Sequence, residues 1–499
     1  MKYIKISIVI LIVSFISIFA YKLTTNNSNN KISLTKEQMK EMLSYTIDGN
    51  KTSSMPTKGS GYKVKSITCK SGSILSWDND NWLLEVEKIE SEDLCNIDFT
   101  TGTGSYTVTA VPSIAGSLDS TSKTTTENGT VTFYTDAIID SVSGCTNEIS
   151  DGKIIIKNVT GNTTCNINVS YMKLYDKLLA DNPTRSTRDT YNAVFINNTT
   201  GTLFTATEKN VHNTTDTTVY YYAGNTTNNW VKFAGYYWRI IRTNADGSIR
   251  MLYSGTSHDT TSGYINSTTY AFNTSYNSPE YVGYMYGEND DTLANARTNT
   301  NNSTIKTAID NWYASNMTSY TKYLSTTAVY CNDRTEQTSG TYNIGSKFGY
   351  APRARVNTNY APTYDCTETS DAFSGSNTSA KLTYPIALMT VDEIMRAGGK
   401  DRTSLTSPYA WYYLNSANGS ITGSQWWWLL SPRYWNGTNA SVFSVRDSSY
   451  PGYLDYDSVD CTHGVRPAVS LKSCVKTSGG DGSASAPYTI EETTSTSGC

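Results

Sequence analysis

The sequence has few charged residues and very little histidine. Of 499 residues, 17% are charged and three are histidine, and 40 basic against 44 acidic residues give a net charge of −4. Average soluble proteins carry about 25% charged residues. Without an excess of positive charge the chain cannot neutralise a phosphate backbone, which excludes a polybasic nucleic-acid binder. Tyrosine is abundant instead, with 38 residues against 11 phenylalanines, and this composition is typical of an uncharged, hydrogen-bonding extracellular surface.

Motifs of common catalytic and metal sites are also missing. His212, His258 and His463 do not pair at metal-ligand spacing, and no His-Glu-x-x-His occurs. No Gly-x-Ser-x-Gly elbow is present, and no glycine-rich phosphate loop opens a helix. We therefore predict no catalytic residue, no metal and no cofactor, and a protein that is not an enzyme.

The nine cysteines include no Cys-x-x-Cys pair, which argues against zinc ribbons and thioredoxin-like chemistry. Paired in sequence order they predict four local, structural disulfides and leave Cys499 as an unpaired thiol or an intermolecular link. Disulfides persist in oxidising compartments, so the pattern indicates an extracytoplasmic protein. The predicted pairs are Cys69–Cys95, Cys145–Cys165, Cys331–Cys366 and Cys461–Cys474.

Residues 1–22 are predicted to form a signal anchor. Lysines precede a mostly apolar run from Ile6 to Tyr21, which favours an N-terminus that stays inside and a chain that is exported. The run is short against the roughly 20 residues of a spanning helix and long for a signal-peptide core. Ile18 stands where cleavage after Ala20 would require a small residue. An uncleaved single-pass transmembrane helix is therefore favoured over a cleaved signal peptide, and both export the chain.

Two polar segments are predicted to be linkers. Residues 23–61 form a stalk with one helix, predicted from Thr35 to about Tyr45 because Thr35 and Gln38 have capping-box spacing. Residues 476–499 are rich in serine, threonine and glycine, and are predicted to form a flexible tail.

Between the stalk and residue 171 the sequence contains an internal repeat. Cys95-Asn96-Ile97 and Cys165-Asn166-Ile167 match, and apolar residues alternate with period two around both, which indicates half-buried strands. We predict one β module at 62–104 and a second at 105–171. They resemble the immunoglobulin-like β modules that hold functional domains away from bacterial surfaces, and the resemblance implies a spacer role.

Residues 184–475 are predicted to form one large α+β domain. Asp246-Gly247 between two apolar runs predicts a hairpin. Apolar residues at helical spacing predict a helix over about 304–316, and a second helix is predicted to begin at Thr390 and to stop at Gly398. Helices flanked by hairpins and irregular loops are typical of α+β domains.

Three segments of this domain carry a family resemblance. In order and spacing they resemble a domain of unknown function that is common in bacterial surface proteins and ends in a "WW-x-x-SP … GVRP" signature. That family is similar to the C-type-lectin fold as used by formylglycine-generating-enzyme-like proteins and by retroelement-diversified variable proteins. The resemblance covers about 230–475 and implies a C-type-lectin-like fold. The segments are Tyr384-Pro385-Ile386 through Gly398-Gly399, Trp426 through Arg433, and Gly464 through Val469.

In C-type-lectin-like folds, ligands bind where residues 434–460 of this chain lie, and the variable-protein resemblance implies that this segment is diversified. Tyrosine, asparagine and aspartate are residues that binding surfaces prefer. We predict a segment that is mostly exposed loop, apart from a strand around Val442, Phe443 and Val445. The predicted ligand-binding residues are Tyr434, Trp435, Asn436, Asn439, Arg446, Tyr450, Tyr453, Asp455 and Tyr456.

Two departures from these families limit what the resemblance implies. The calcium-type sugar motif is absent, and the paired active-site cysteines of formylglycine-generating enzymes are not evident. We therefore predict a bacterial adhesin, anchored in the membrane by its N-terminal helix, that binds a protein or glycan and no nucleic acid. An extracellular oxidase of the formylglycine-generating type and a structural envelope protein without a specific ligand are the alternatives.

Overall fold

The computed structural model of the chain divides into two units, Met1–Ser170 (unit 1) and Tyr171–Cys499 (unit 2). Both are mostly β, with several small sheets and few, short helices. Among the described residues no helix is long and apolar enough to cross a membrane. The described residues are 6–11, 18–23, 41–78, 82–90, 92–102, 104–198, 200–258, 263–266, 268–288, 292–337, 340–413 and 425–492.

Unit 1 is built from β-strands. In chain order they are Ile6–Leu11 (β1), Ile18–Leu23 (β2), Leu43–Ile47 (β3), Asn50–Thr52 (β4), Tyr62–Cys69 (β5), Ile74–Asp78 (β6), Leu83–Lys88 (β7), Cys95–Thr101 (β8), Ser105–Pro112 (β9), Ser122–Thr126 (β10), Gly129–Tyr134 (β11), Ile138–Ser143 (β12), Glu148–Ser150 (β13), Lys153–Val159 (β14) and Thr163–Ser170 (β15).

The strands of unit 1 repeat one topology. In the first module the sheet order is β4-β3-β8-β5, and in the second it is β10-β9-β15-β12. In each, the module's last strand lies parallel to an early one, β8 to β3 and β15 to β9. Ile97 and Phe99 of β8 and Ile167 and Val169 of β15 are buried, because alternate residues of a strand face the same side. The alternation predicted from the sequence is therefore confirmed.

The predicted stalk is partly incorporated into the first module. Residues 43–47 form β3 rather than the end of a helix, because Leu43, Tyr45 and Ile47 alternate and pack against the core around Phe99. Only residues 41 and 42 are helical, and residues 24–40 lie outside the described residues. The first module therefore begins before residue 62.

The apolar N-terminal run also contains strands. β1 pairs with β2 and with β7, all antiparallel. Its isoleucine and valine residues are β-branched and favour strands over helix. These described residues are therefore not the predicted helix. Residues 1–5 and 12–17 lie outside the described residues, and the membrane anchor stays a prediction.

Unit 2 combines two larger sheets, several two-stranded ladders and short helices. Its helices are Leu174–Asp181 (α1), Leu293–Ala296 (α2), Thr304–Asn316 (α3), Ala351–Ala354 (α4) and Val391–Ala397 (α5), with single helical turns at Pro279–Val282, Thr318–Tyr323, Arg355–Asn359 and Thr378–Ala380. Its strands are Thr184–Ser186 (β16), Thr202–Asn210 (β17), Asn213–Tyr221 (β18), Trp230–Phe233 (β19), Tyr236–Thr243 (β20), Ile249–Tyr253 (β21), Tyr270–Ala271 (β22), Met285–Tyr286 (β23), Asn301–Asn302 (β24), Tyr330–Cys331 (β25), Phe348–Gly349 (β26), Ala372–Phe373 (β27), Ile386–Leu388 (β28), Trp427–Trp435 (β29), Ala440–Val445 (β30), Leu454–Ser458 (β31), Thr462–His463 (β32), Pro467–Leu471 (β33), Thr477–Gly479 (β34) and Tyr488–Ile490 (β35).

The larger sheet of unit 2 has ten strands. Seven of them follow the order β16-β17-β18-β20-β19-β35-β34. The other three form a branch, in which β21 pairs with β20 and with β33, and β33 pairs with β28. The second sheet has the order β26-β29-β30-β31. The predicted hairpin is confirmed as β20 and β21, and the predicted helices are confirmed as α3 and α5. Gly398 ends α5 with a positive φ of 125°, which favours glycine.

Two short segments of the predicted flexible tail are strands of this sheet. β35 pairs in parallel with β19 and antiparallel with β34. Tyr488 of β35 is fully buried, and its hydroxyl donates to Asp181 at 2.9 Å. Burial of this ring gives the polar segment an apolar anchor. Residues 493–499 lie outside the described residues.

Three of the four predicted disulfides are present: Cys69–Cys95, Cys145–Cys165 and Cys331–Cys366. The fourth prediction, Cys461–Cys474, is wrong. Cys461 is a free thiol, whereas Cys474 is disulfide-bonded. The two residues follow strands of different sheets, β31 and β33, so their closeness in sequence does not bring them together.

A buried ion-pair network ties α5 to the large sheet. Glu393 of α5 accepts from Arg242 at 3.0 Å and from Arg250 at 2.8 Å, and Arg242 also pairs with Glu208 at 2.6 Å. Glu393 completes the predicted capping box by accepting from the Thr390 amide. Burial raises the pKa of Glu393, but the two guanidinium groups and the amide outweigh it, and the net pKa is lowered.

Among the described cysteines one free thiol is expected, at Cys461. Thiol labelling of the unreduced, denatured protein followed by peptide mapping should place the label on Cys461 and on no other described cysteine, because the others are bonded. Label on another described cysteine, or a cross-link between the Cys461 and Cys474 peptides, would contradict the assignment.

Replacing Glu393 by glutamine should destabilise unit 2 by about 3–5 kcal/mol at pH 7, because two buried arginines lose their shared partner. The matched control is Glu368→Gln, an exposed carboxylate 3.7 Å from Arg297, which should cost less than about 1 kcal/mol. Since the pKa of Glu393 is lowered on folding, its contribution is present above about pH 4.3 and is lost as the pH falls further. Denaturant unfolding followed by tryptophan fluorescence at several pH values measures both effects, and equal losses in the two variants would refute the role of Glu393.

Candidate functional site

The segment predicted to bind ligand is mostly strand. β29 and β30 pair antiparallel, and β30 pairs antiparallel with β31. Val442, Phe443 and Val445 are fully buried in β30, as predicted. The prediction that the rest is exposed loop is wrong, because β29 extends to residue 435 and β31 covers 454–458. Only the turns at 436–439 and 446–453 connect these strands.

Three of the predicted residues have structural roles. Trp435 is only 1% exposed, and its Nε1 donates to the Ile344 carbonyl at 3.1 Å. The side-chain oxygen of Asn436 accepts from the amides of Thr438 and Asn439, which shapes the turn between β29 and β30. Asn439 donates to Ser458 of β31 at 3.3 Å. Trp435 therefore belongs to the core, and the two asparagines hold the turn.

Three of the predicted residues surround a fourth, Arg446. Its guanidinium carbon lies 4.6 Å from the ring centre of Tyr450 and 5.8 Å from that of Tyr453, and its Nε lies 3.4 Å from Asp455. The guanidinium carbon of Arg446 also lies 3.9 Å from the ring centre of Trp426, which directly precedes β29. Tyr450 is 47% exposed, so this Arg446 group presents aromatic rings and a cation to solvent. Trp426 belongs to a signature segment and is not among the predicted ligand-binding residues.

Tyr434 and Tyr456 belong to a second group. Arg433 lies 3.3 Å from the ring centre of Tyr456, and Arg402 donates to the Tyr456 hydroxyl at 3.2 Å. Arg353 lies 4.7 Å from the ring centre of Tyr434. We call Arg353, Arg402 and Arg433 with the two tyrosines the arginine group. The sequence did not predict these arginines because all three lie outside residues 434–460, and Arg433 belongs to a signature segment.

The two groups lie on opposite faces of the small sheet. Asp455 and Tyr456 are neighbours on β31, and successive side chains of a strand point to opposite sides. Tyr434 and Tyr456 share a face, since their strand partners Ser441 and Phe443 are two residues apart on β30. The sheet therefore presents two separate sets of polar aromatic side chains.

A histidine and a thiol border the Arg446 group. His463 stacks on Trp426 at 5.1 Å, and its Nε2 lies 3.2 Å from Asp457. Burial and the Asp457 carboxylate raise the pKa of the Cys461 thiol to about 11. A thiol with a raised pKa stays protonated at neutral pH and is a poor nucleophile. His463 and Cys461 therefore contribute packing rather than thiolate chemistry.

Comparison with known protein families, with curated proteins and with solved structures finds no match for this chain. The resemblance to the bacterial surface-protein domain therefore stays a prediction. What the site can do follows from its own chemistry. Cations, ring faces and carboxylates near the surface are suited to non-covalent recognition.

The structure predicts a large loss of stability for substitution of one aromatic residue of the segment and a small change for another. Trp435→Ala should destabilise unit 2 by about 3–5 kcal/mol, because it removes a fully buried ring. Tyr450→Ala should change stability by less than about 1 kcal/mol, because the ring is half exposed. Denaturant unfolding monitored by tryptophan fluorescence and circular dichroism checks both. A large loss for Tyr450→Ala would show that its ring is structural.

Proposed function

We propose that this chain is an extracytoplasmic, surface-anchored bacterial binding protein and that it recognises a protein or glycan through the Arg446 group. The observation that carries the proposal is the partly exposed stack formed by Arg446 with Trp426, Tyr450 and Tyr453. Tyrosine and tryptophan give a large contact area at low entropic cost, and arginine adds hydrogen-bond donors. Such residues account for much of the binding energy at protein interfaces.

Location outside the cytoplasm is supported by the disulfides. Three are formed in the described residues, and structural disulfides are typical of oxidising compartments. In this proposal the lysine-flanked apolar run at 6–21 is the membrane anchor. The two modules of unit 1 are immunoglobulin-like spacers that present unit 2.

A C-type-lectin-like arrangement of unit 2, with residues 434–460 diversified by a retroelement, is part of the proposal. It is supported by direct pairing of the two signature segments. The amide of Trp428 donates to the Gly464 carbonyl at 3.2 Å, and the Gly464 amide donates to the Trp426 carbonyl at 2.7 Å. A Cβ at Gly464 would lie 2.6 Å from the Tyr264 ring, which explains the glycine. Arg466 donates to the carbonyls of Tyr253 and Tyr412.

The cysteines argue against the oxidase alternative. An oxidase of the formylglycine-generating type uses two active-site cysteines together, whereas Cys461 is free and Cys474 is bonded to another residue. The protonated state of Cys461 at neutral pH also disfavours thiolate chemistry. We therefore propose a protein that is not an enzyme.

The proposal is tested on an array of glycans and host proteins with the full chain and the double variant Tyr450→Ala, Tyr453→Ala. We expect the wild type to bind at least one class of ligand and the double variant to bind it at least about tenfold more weakly, which corresponds to 1.4 kcal/mol. The matched control is Tyr220→Ala, since Tyr220 lies under Arg185 at 5.1 Å in the ten-stranded sheet. Equal binding by both variants would refute the Arg446 group as the site, and a wild type without any ligand would favour the structural envelope protein.

A further inference from the structure

The three cations of the arginine group form no ion pair within the described part of the chain. Some arginines elsewhere in unit 2 have carboxylate partners: Arg334 lies 2.7 Å from Asp371, and Arg355 lies 2.8 Å from Asp392. Others, such as the buried Arg239 and Arg466, donate to backbone carbonyls. No described carboxylate oxygen lies within 4 Å of a nitrogen of Arg353, Arg402 or Arg433. Their guanidinium groups lie on tyrosine rings instead.

We propose that Arg353, Arg402 and Arg433 form a subsite that binds the carboxylate of an acidic sugar, a uronic or sialic acid in a glycan. The subsite lies on the opposite face of the small sheet from the Arg446 group. It deepens the proposed function, on which it rests, by naming the class of ligand. Arginine is suited to this task because its planar guanidinium presents paired donors to a carboxylate.

Arg433 is the buried member of the subsite. Its side chain is only 6% exposed, and its Nε has no hydrogen-bond partner among the described residues. The register of β29 against β30 shifts between Pro432 and Tyr434, and such a bulge re-aims the intervening side chain. The shift accompanies the placement of Arg433 against Tyr456 and Phe443. A buried donor without a partner costs free energy that a bound acceptor recovers.

Electrostatic repulsion supports the same assignment. Burial, together with the charges of Arg353 and Arg402, lowers the pKa of Arg433 to about 10, although Tyr456 and Asp401 partly compensate. Arg433 still carries its charge at neutral pH. Three like charges held close together destabilise the empty group, and a bound anion relieves that repulsion.

A neighbouring acceptor favours a sugar acid over other anions. Oδ1 of Asp401 is buried without a hydrogen-bond partner in the described residues, and burial raises the pKa of this carboxyl despite the nearby Arg433 and Arg402. Donors beside an acceptor fit a ligand that offers both a carboxylate and hydroxyl groups. The carboxylate of a uronic acid would accept from the arginines, and its hydroxyls would donate to Asp401. An acidic peptide side chain lacks those hydroxyls.

The test measures binding of trigalacturonic acid to the full chain by calorimetry at low salt, with its methyl ester as the neutral probe. We expect the acid to bind and the ester to bind at least about tenfold more weakly, and the Kd of the acid to rise with salt. Arg402→Gln removes an exposed cation and should weaken binding of the acid by at least about tenfold. Arg185→Gln, which removes an arginine from a tyrosine ring in the other sheet, should leave it unchanged.

Three results would overturn the subsite. They are equal binding of acid and ester, equal behaviour of Arg402→Gln and Arg185→Gln, and failure of both trigalacturonic acid and sialyllactose to bind. Stronger binding of a polyglutamate peptide than of either sugar would assign the arginines to acidic peptides instead. The double variant Tyr450→Ala, Tyr453→Ala should keep its affinity for the acid, so failure of the subsite and failure of the Arg446 group can be distinguished.

Discussion

The shared carboxylate of Glu393 is the interaction on which the arrangement of unit 2 depends. It caps its own helix through Thr390 and receives Arg242 and Arg250, so one side chain fixes α5 against two strands of the large sheet. All these groups are buried, and a buried charge without its partner is strongly destabilising. The network also borders a cavity of about 20 Å³, room for roughly one water molecule. Such a centre leaves few alternative positions for α5.

The position of the small sheet follows from that of α5. The first amide of α5, at Val391, donates to the hydroxyl of Ser431 at 3.0 Å, and the amide of Leu430 donates to the Met389 carbonyl at 2.9 Å. Both partners lie on β29, two to three residues before Arg433. The serine of the signature segment therefore connects the ion-pair network to the strand that carries the arginine group. The ion pairs of Glu393 hold α5 on the large sheet, and the two hydrogen bonds from α5 and Met389 to β29 hold the strand that carries Arg433.

Local patterns in the sequence predicted the elements that depend on neighbours in the chain. The Thr390 cap, the Asp246-Gly247 hairpin and the helix over 304–316 each follow from residues a few positions apart. The predictions that failed depend on distant pairing. The strand around Tyr488 needs β19 to pair with, the free Cys461 reflects two different sheets, and the arginine group joins residues from α4, a loop and β29. The local pattern of residue types does not indicate which distant parts of the chain come into contact.

The arginine group remains available to a ligand because tyrosine rings hold it. Arg433 lies on Tyr456 and Arg353 on Tyr434, and neither forms an ion pair with a described carboxylate. A ring face attracts the guanidinium plane but does not accept along its N–H edges. Those edges keep their donors, whereas a bidentate carboxylate, such as Asp392 on Arg355, occupies them. Tyrosine serves better than phenylalanine here, because the Tyr456 hydroxyl also accepts from Arg402 and orients it. The tyrosine rings thus position these cations without forming ion pairs with them.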